Sequence, residues 1–196
     1  DFERVRKLIY KHAGISLAPI KRDMVYSRLA RRLRALGIAS FGEYLAHLEA
    51  NDDTERETFV NSLTTNLTSF FREAHHFDIL TRHLRTLQQR PIRIWCSAAS
   101  TGEEPYTLAM TACEAFDSLT PPVSIVASDI DTKVLATAQK GIYPMERVEK
   151  LSRENQRKVI AAFGPPPGEL MTHERDGECF LVIPRIDLGN VILAPQ

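Results

Sequence analysis

Ile92-Arg93-Ile94-Trp95-Cys96-Ser97-Ala98-Ala99-Ser100-Thr101-Gly102-Glu103-Glu104-Pro105 is the stretch that decides the fold. Ile92 to Cys96 reads as a buried strand, and Ser97 to Gly102 as a loop of small residues. Pro105 sits where a first helical turn accepts proline, opening a helix that runs to about Phe116. Pro121-Pro122 breaks the chain. Val123 to Ala127 is a second apolar strand, ending at Asp129. Asp131 or Thr132 caps the next helix and Gly141 stops it. This β-α-β-α order predicts parallel strands joined by right-handed crossovers.

Toward the N-terminus the pattern is helical. Phe2, Val5, Leu8 and Ile9 recur at helical spacing, and Gly14 stops that helix. Lys21 to Leu36 is a second helix, stopped by Gly37, with Val25, Leu29, Leu33 and Leu36 on one stripe. Ser40 caps a third, which carries Phe41, Tyr44, Leu45 and Leu48. Thr54 to Leu63 is a fourth. A polar stretch, Thr64 to Ser69, precedes Phe70-Phe71-Arg72, and helix resumes from about Glu73 to Gln89. Beyond the second strand, Glu154 to Phe163 is a short helix and Gly164-Pro165-Pro166-Pro167-Gly168 a loop. Leu170 to Glu174 and Glu178 to Ile183 flank Asp176-Gly177, a hairpin signal. A further strand is expected at 190–194. The expected organisation is a helical domain over 1–64, a linker and connecting helix over 65–90, and an α/β domain over 91–196 with a β-hairpin subdomain at about 164–184.

Composition excludes several classes. The 196 residues carry 25 Lys plus Arg and 25 Asp plus Glu, with 43% hydrophobic and 26% charged residues, the mix of a folded soluble protein. No apolar run approaches the ~20 residues of a membrane span. Cys96, Cys113 and Cys179 are too scattered for a disulfide framework or a zinc site, and are read as reduced thiols of a cytoplasmic protein. No signal peptide opens the sequence, and its start at Asp1 rather than Met makes a trimmed chain the expectation.

The zero net charge conceals an asymmetry. The segment 21–36 holds Lys21, Arg22, Arg28, Arg31, Arg32 and Arg34 against the single acid Asp23. Lys21, Arg28, Arg31 and Arg32 share a face suited to nucleic acid, anionic lipid or an acidic protein surface. A solvated helix face is the competing reading.

The loop after the first strand lies where ligands of open α/β sheets bind. It lacks both G-x-G-x-x-G and the P-loop lysine. Glu103 and Glu104 would repel a phosphate at that helix start. A cofactor with an ammonium group and hydroxyls but no phosphate fits better, and S-adenosylmethionine is such a molecule. Asp129, closing the second strand, is placed to accept hydrogen bonds from ribose hydroxyls. Helix capping by Asp129 or Asp131 and dipole pairing by Glu103 and Glu104 are the alternatives. Asn66, Thr68 and Arg72 lie at the join of the halves, beside Phe70 and Phe71, as cleft residues or as ordinary turn residues. Adjacent His75 and His76 make a poor metal pair, and no catalytic triad or metal site is expected.

Three stretches together resemble the chemotaxis receptor methyltransferases, the CheR family. They are Lys21-Arg22-Asp23-Met24-Val25-Tyr26 with its Arg-rich continuation, Thr64 to Glu73, and Ser97 to Tyr106 followed by Ala127-Ser128-Asp129-Ile130-Asp131. The resemblance runs from about Phe2 to Arg157. It implies an all-helical N-terminal domain followed by a Rossmann-like, S-adenosylmethionine-dependent methyltransferase domain with a small antiparallel β subdomain. It also implies methylation of chemoreceptor glutamates to glutamyl methyl esters, with S-adenosylhomocysteine as product. By the same resemblance Asn66, Thr68, Arg72, Ala98, Glu103 and Asp129 are cofactor-binding. Arg72 lies near the reacting groups, Glu103 meets the methionine part, and Asp129 meets the ribose. The basic face Lys21, Arg28, Arg31 and Arg32 would meet acidic methylation helices of the receptor, and the β subdomain a receptor C-terminal tail through strand addition.

The chain departs from the family near its end. An Arg-Asn-hydrophobic-hydrophobic-Tyr-Phe motif is expected there and not found, and the strands that can be placed (92–96, 123–127 and 190–194) fall short of the sheet the family builds. A truncated sheet with an exposed edge and reduced activity is the expectation. Two rivals remain. One is a non-catalytic receptor-docking or cofactor-sensing protein of the same fold. The other is a nucleic-acid-binding protein using helix 21–36, disfavoured because aromatics are 8% and none interleaves the Arg face.

Overall fold

The computed structural model describes residues 1–50, 53–149, 151–155, 172–175, 178–182 and 192–195. The chain divides into two compact units: Asp1–Thr65 with Ile130–Thr132, and Asn66–Asp129 with Lys133–Gln196.

The first unit is helical, with α1 (Phe2–Ala13), a 3-10 turn (Pro19–Lys21), α2 (Arg22–Leu36), α3 (Phe41–Ala50) and α4 (Asp53–Leu63). The stop signals act as expected. Gly14 and Gly37 end α1 and α2 at φ 65° and 68°, where a side chain would be strained. Ser40 Oγ accepts a 3.2 Å bond from the Glu43 amide, capping α3. Val5, Ile9, Val25, Leu29, Leu33, Tyr44, Leu45, Leu48 and Phe59 form one core, and Ile130 packs against it. Leu36 does not join the stripe. It is exposed in the last turn of α2, where the helix has passed the end of the core.

A buried acid from α4 joins this core. Glu55 is buried, accepting from Arg32 Nε at 2.9 Å, from Arg32 Nη2, and from the Tyr44 hydroxyl at 2.9 Å. Burial works against its ionisation. The hydrogen bonds from Arg32 and Tyr44 and the Arg32 charge outweigh burial, so the carboxyl is held below its ordinary 4.5. A lowered folded-state pKa stabilises at pH above the unfolded value, and that contribution is lost as pH falls through the folded value. Glu55→Ala is therefore expected to cost about 3 kcal/mol at neutral pH. The gap to the unaltered chain, read by urea denaturation, should narrow below pH 4.5. A gap independent of pH would contradict the assignment.

The second unit carries α5 (His75–Thr86), β1 (Ile92–Cys96), α6 (Glu103–Phe116), β2 (Val123–Asp129), α7 (Thr132–Lys140, whose first residue counts with the helical unit), β3 (Ile142–Pro144) and α8 (Glu146–Glu149). Then come β4 (Thr172–Arg175), β5 (Glu178–Val182) and β6 (Ile192–Pro195). β1 and β2 pair in parallel, with Ile92 opposite Val123 and Cys96 opposite Ala127. β6 pairs in parallel on the other side of β2, giving the order β1-β2-β6 and confirming three predicted strands. The predicted hairpin forms between β4 and β5, Arg175 opposite Glu178. Its Asp176-Gly177 turn lies outside the described residues, as do 164–171 and most of the predicted helix Glu154–Phe163. β3 adds to the hairpin, order β3-β5-β4. Its three residues are too short for an alternation pattern to announce them.

α5 starts later than the sequence predicts. Phe71 and Glu73 take φ of 52° and 56°, so the backbone is still left-handed at Glu73, where helix was expected to begin. Phe70 and Phe71 are instead driven into a cluster with Met110, Tyr143 and Val148. This pins the segment 66–72 beside the start of α6: the Phe71 amide donates to Thr107 Oγ1 at 3.2 Å, and Thr107 Oγ1 donates to the Glu103 carbonyl at 2.6 Å.

Candidate functional site

The site lies at the carboxyl ends of β1 and β2, within the second unit. The loop 97–102 is folded tightly. The Ala99 amide donates to the Ser128 carbonyl at 2.9 Å, and the Gly102 amide donates back to Ala99 at 2.9 Å. Ala99 is fully buried against Cys96, Ala127 and Leu135, while Ala98 faces outward. Gly102 serves packing rather than ligand approach. A Cβ there would stand 2.5 Å from the Tyr143 hydroxyl and 2.8 Å from the Ala138 Cβ. The Tyr143 hydroxyl donates to the Thr101 carbonyl at 2.7 Å. Burial, then the charge of Glu103, raises the pKa of this phenol, so it remains a donor.

The two acids expected at this site are both buried, Glu103 fully and Asp129 to 7% exposure. Asp129 Oδ2 accepts a 2.8 Å bond from the Ser100 amide, which ties the end of β2 to the loop after β1. Ser100 stands at φ 49°, and among the described residues its buried hydroxyl has no hydrogen-bond partner. Glu103 Oε2 accepts from Thr101 Oγ1 at 2.6 Å and Oε1 from Arg147 Nη1 at 3.0 Å. Arg147 Nη1 also reaches the Thr68 carbonyl at 3.4 Å. Thr68 and Glu103, far apart in sequence, are thus brought onto one guanidinium. Glu104, next in the chain, is exposed and stands 3.7 Å from the Cys96 thiol. Burial, then the Glu104 charge, pushes that thiol to about 12, so Cys96 is no nucleophile at neutral pH.

Asn66 and Arg72 are exposed on the same pinned segment, and Arg72 Nη1 donates to the Leu67 carbonyl at 3.3 Å. The basic face of α2 is divided. Lys21 and Arg31 are exposed. Arg28 and Arg32 are half-buried and bond within the helical unit, Arg28 by donating to the Thr64 carbonyl and, at 3.4 Å, to Thr65 Oγ1, and Arg32 through Glu55. Among the described residues no cluster of His, Cys, Asp or Glu is arranged to hold a metal ion. Nor is any described helix long and apolar enough to cross a membrane.

Two buried carboxylates and an orphaned buried hydroxyl, with no lysine or arginine in the loop itself, fit a cationic, hydroxyl-bearing cofactor and oppose a phosphate. Residues 1–64 match the family model for the CheR methyltransferase all-alpha domain, and residues 66–163 that for the CheR methyltransferase SAM binding domain. The chain belongs to the CheR methyltransferase family. The cofactor of the matched domain is S-adenosylmethionine. The chain is 52% identical over 172 residues to chemotaxis protein methyltransferase 2 of Pseudomonas aeruginosa, covering 86% of this chain and 61% of that protein. It is 52% identical over 169 residues to the chemotaxis protein methyltransferase of Salmonella typhimurium, covering 85% and 58%. Against that of Escherichia coli it is 50% identical over 169 residues, covering 85% and 59%. The chain therefore spans about three-fifths of the length of these CheR relatives. Arg147, Ser100 and Tyr143 are additions of the structure to the site. A buried acid at the helix start implies a cation partner, but the 44 positions separating Glu103 from Arg147 carry no pattern that joins them.

Proposed function

We propose that this protein transfers a methyl group from S-adenosylmethionine to glutamate side chains of chemoreceptors, forming glutamyl methyl esters in the cytoplasm. The observation that supports this best is the pair of buried acids, Glu103 opening α6 after the loop that follows β1 and Asp129 closing the adjacent parallel strand β2. In this reading Glu103 takes the ammonium of the cofactor and Asp129 the ribose hydroxyls, with Asn66, Thr68, Ala98 and Arg72 lining the same site. S-adenosylmethionine, when bound, supplies an electrophilic methyl on a sulfonium sulfur. The accepting glutamate is already ionised at neutral pH and needs no general base. The protein's task is alignment and exclusion of water. The high pKa of Cys96 agrees with a mechanism that has no protein nucleophile.

Arg72, exposed beside this site, is proposed to orient the substrate carboxylate. Arg72→Ala is expected to lower methyl transfer at least about a hundredfold, the cost of a misplaced reactant, without changing the unfolding midpoint. Undiminished tritium transfer from labelled cofactor to receptor would remove this role. The basic face Lys21, Arg28, Arg31 and Arg32, of which Lys21 and Arg31 are the most exposed members, is proposed to meet acidic receptor helices, and the β3-β5-β4 sheet a receptor tail.

A further inference from the structure

The Glu103–Arg147 ion pair is lopsided. The Glu103 side chain is 1% exposed and that of Arg147 is 49% exposed. The carboxylate is desolvated and must keep a compensating charge. The guanidinium is open on its other side. Both of its hydrogen bonds come from Nη1, so among the described residues Nε and Nη2 have no acceptor. Among the described residues each Glu103 oxygen accepts one bond, leaving a lone pair on each. A buried acid with spare acceptors thus stands 3.0 Å from a half-open fork of donors.

We propose that Arg147 completes the reading of the zwitterionic amino-acid end of the cofactor: beside the ammonium that Glu103 takes, the Nε–Nη2 edge of Arg147 holds the carboxylate. The dimensions agree. The nitrogen and carboxyl carbon of an α-amino acid are about 2.5 Å apart, close to the span of the ion pair. The four charges alternate, so neither the guanidinium nor the bound ammonium faces an uncompensated like charge. A planar fork is the side chain suited to gripping a carboxylate at two points. Arg147 also touches the Thr68 carbonyl, so gripping the cofactor would fix the segment 66–72 that carries Arg72.

This inference rests on S-adenosylmethionine as cofactor, and the test separates the two. The probes are S-adenosylhomocysteine and its analogue lacking the α-carboxylate, each titrated calorimetrically. The unaltered chain should prefer S-adenosylhomocysteine by about tenfold, the worth of a charge-assisted contact. Arg147→Met should weaken S-adenosylhomocysteine about tenfold and leave the analogue within about twofold, erasing the preference. Arg147→Lys keeps a cation for Glu103 but loses the fork. It should fold even if Arg147→Met does not, and should weaken S-adenosylhomocysteine several-fold with the analogue unchanged. Equal affinity of the unaltered chain for both ligands, or equal weakening of both by Arg147→Lys, would overturn the role of Arg147 alone. Binding of neither ligand to the unaltered chain would overturn the cofactor reading and the inference together.

Discussion

Replacing Gly102 by alanine is expected to destabilise the second unit by about 3 kcal/mol, combining backbone strain with overpacking. Gly102 stands at φ 101°, which L side chains rarely adopt. The new methyl would meet the Tyr143 hydroxyl at 2.5 Å, the Ala138 Cβ at 2.8 Å and the Ala138 Cα at 3.0 Å. None of these yields cheaply. Tyr143 is buried and bonded to the Thr101 carbonyl, and Ala138 is part of α7. The site would suffer with the fold, because Thr101 holds one oxygen of Glu103 and Tyr143 holds Thr101. Gly14→Ala is the control. Its φ is also positive, at 65°, but nothing lies within 4 Å of the added carbon. It should cost only about 1–2 kcal/mol, the left-handed penalty by itself. Urea midpoints at constant m-value decide between them. Equal losses at both glycines would show that the crowding at Gly102 is relieved without cost.

Glu103→Gln is expected to weaken S-adenosylhomocysteine about a hundredfold, about 3 kcal/mol, the usual loss on removing one partner of a buried charge pair. The substitution preserves shape and removes the only charge that the Glu103 side chain offers an ammonium. Arg147, left without its carboxylate, would add its own repulsion to the incoming cation. Glu104→Gln should change affinity by less than about twofold, because that side chain is exposed and faces the Cys96 thiol. Calorimetric titration of both variants checks the contrast. Similar losses from both would mean that the general acidity of the helix start, rather than the buried Glu103, selects the cofactor.

That contrast also marks where sequence reading stops. Glu103 and Glu104 are adjacent acids in a first helical turn, and periodicity does not tell which is buried. The burial of Glu103 is decided by Thr101 on one side and by Arg147, from a helix 44 positions away, on the other. The strands β1 and β2 were legible because their apolar runs are bounded by Pro91, Pro121-Pro122 and Asp129. The helix ends were legible because Gly14, Gly37 and Ser40 act through their own backbone and side-chain chemistry. The turn before α5 was not. Phe71 and Glu73 take left-handed backbone where Phe70 and Phe71 join a buried cluster with Met110 and Tyr143, residues distant in sequence. The Arg-rich face of α2 was legible as charge, but its bonds within the helical unit were not. Glu55 and the Thr64 carbonyl claim Arg32 and Arg28, and only tertiary contacts reveal that claim.

The most direct test of the central claim is amide hydrogen exchange of the chain with and without saturating S-adenosylhomocysteine. The account predicts slowed exchange in three segments, 66–72, 97–104 and 128–130, with little change across α1–α3. Protection confined to the helical unit, or exchange unchanged in all three segments while the ligand is bound, would contradict a cofactor site built on Glu103, Asp129 and the loop between β1 and α6.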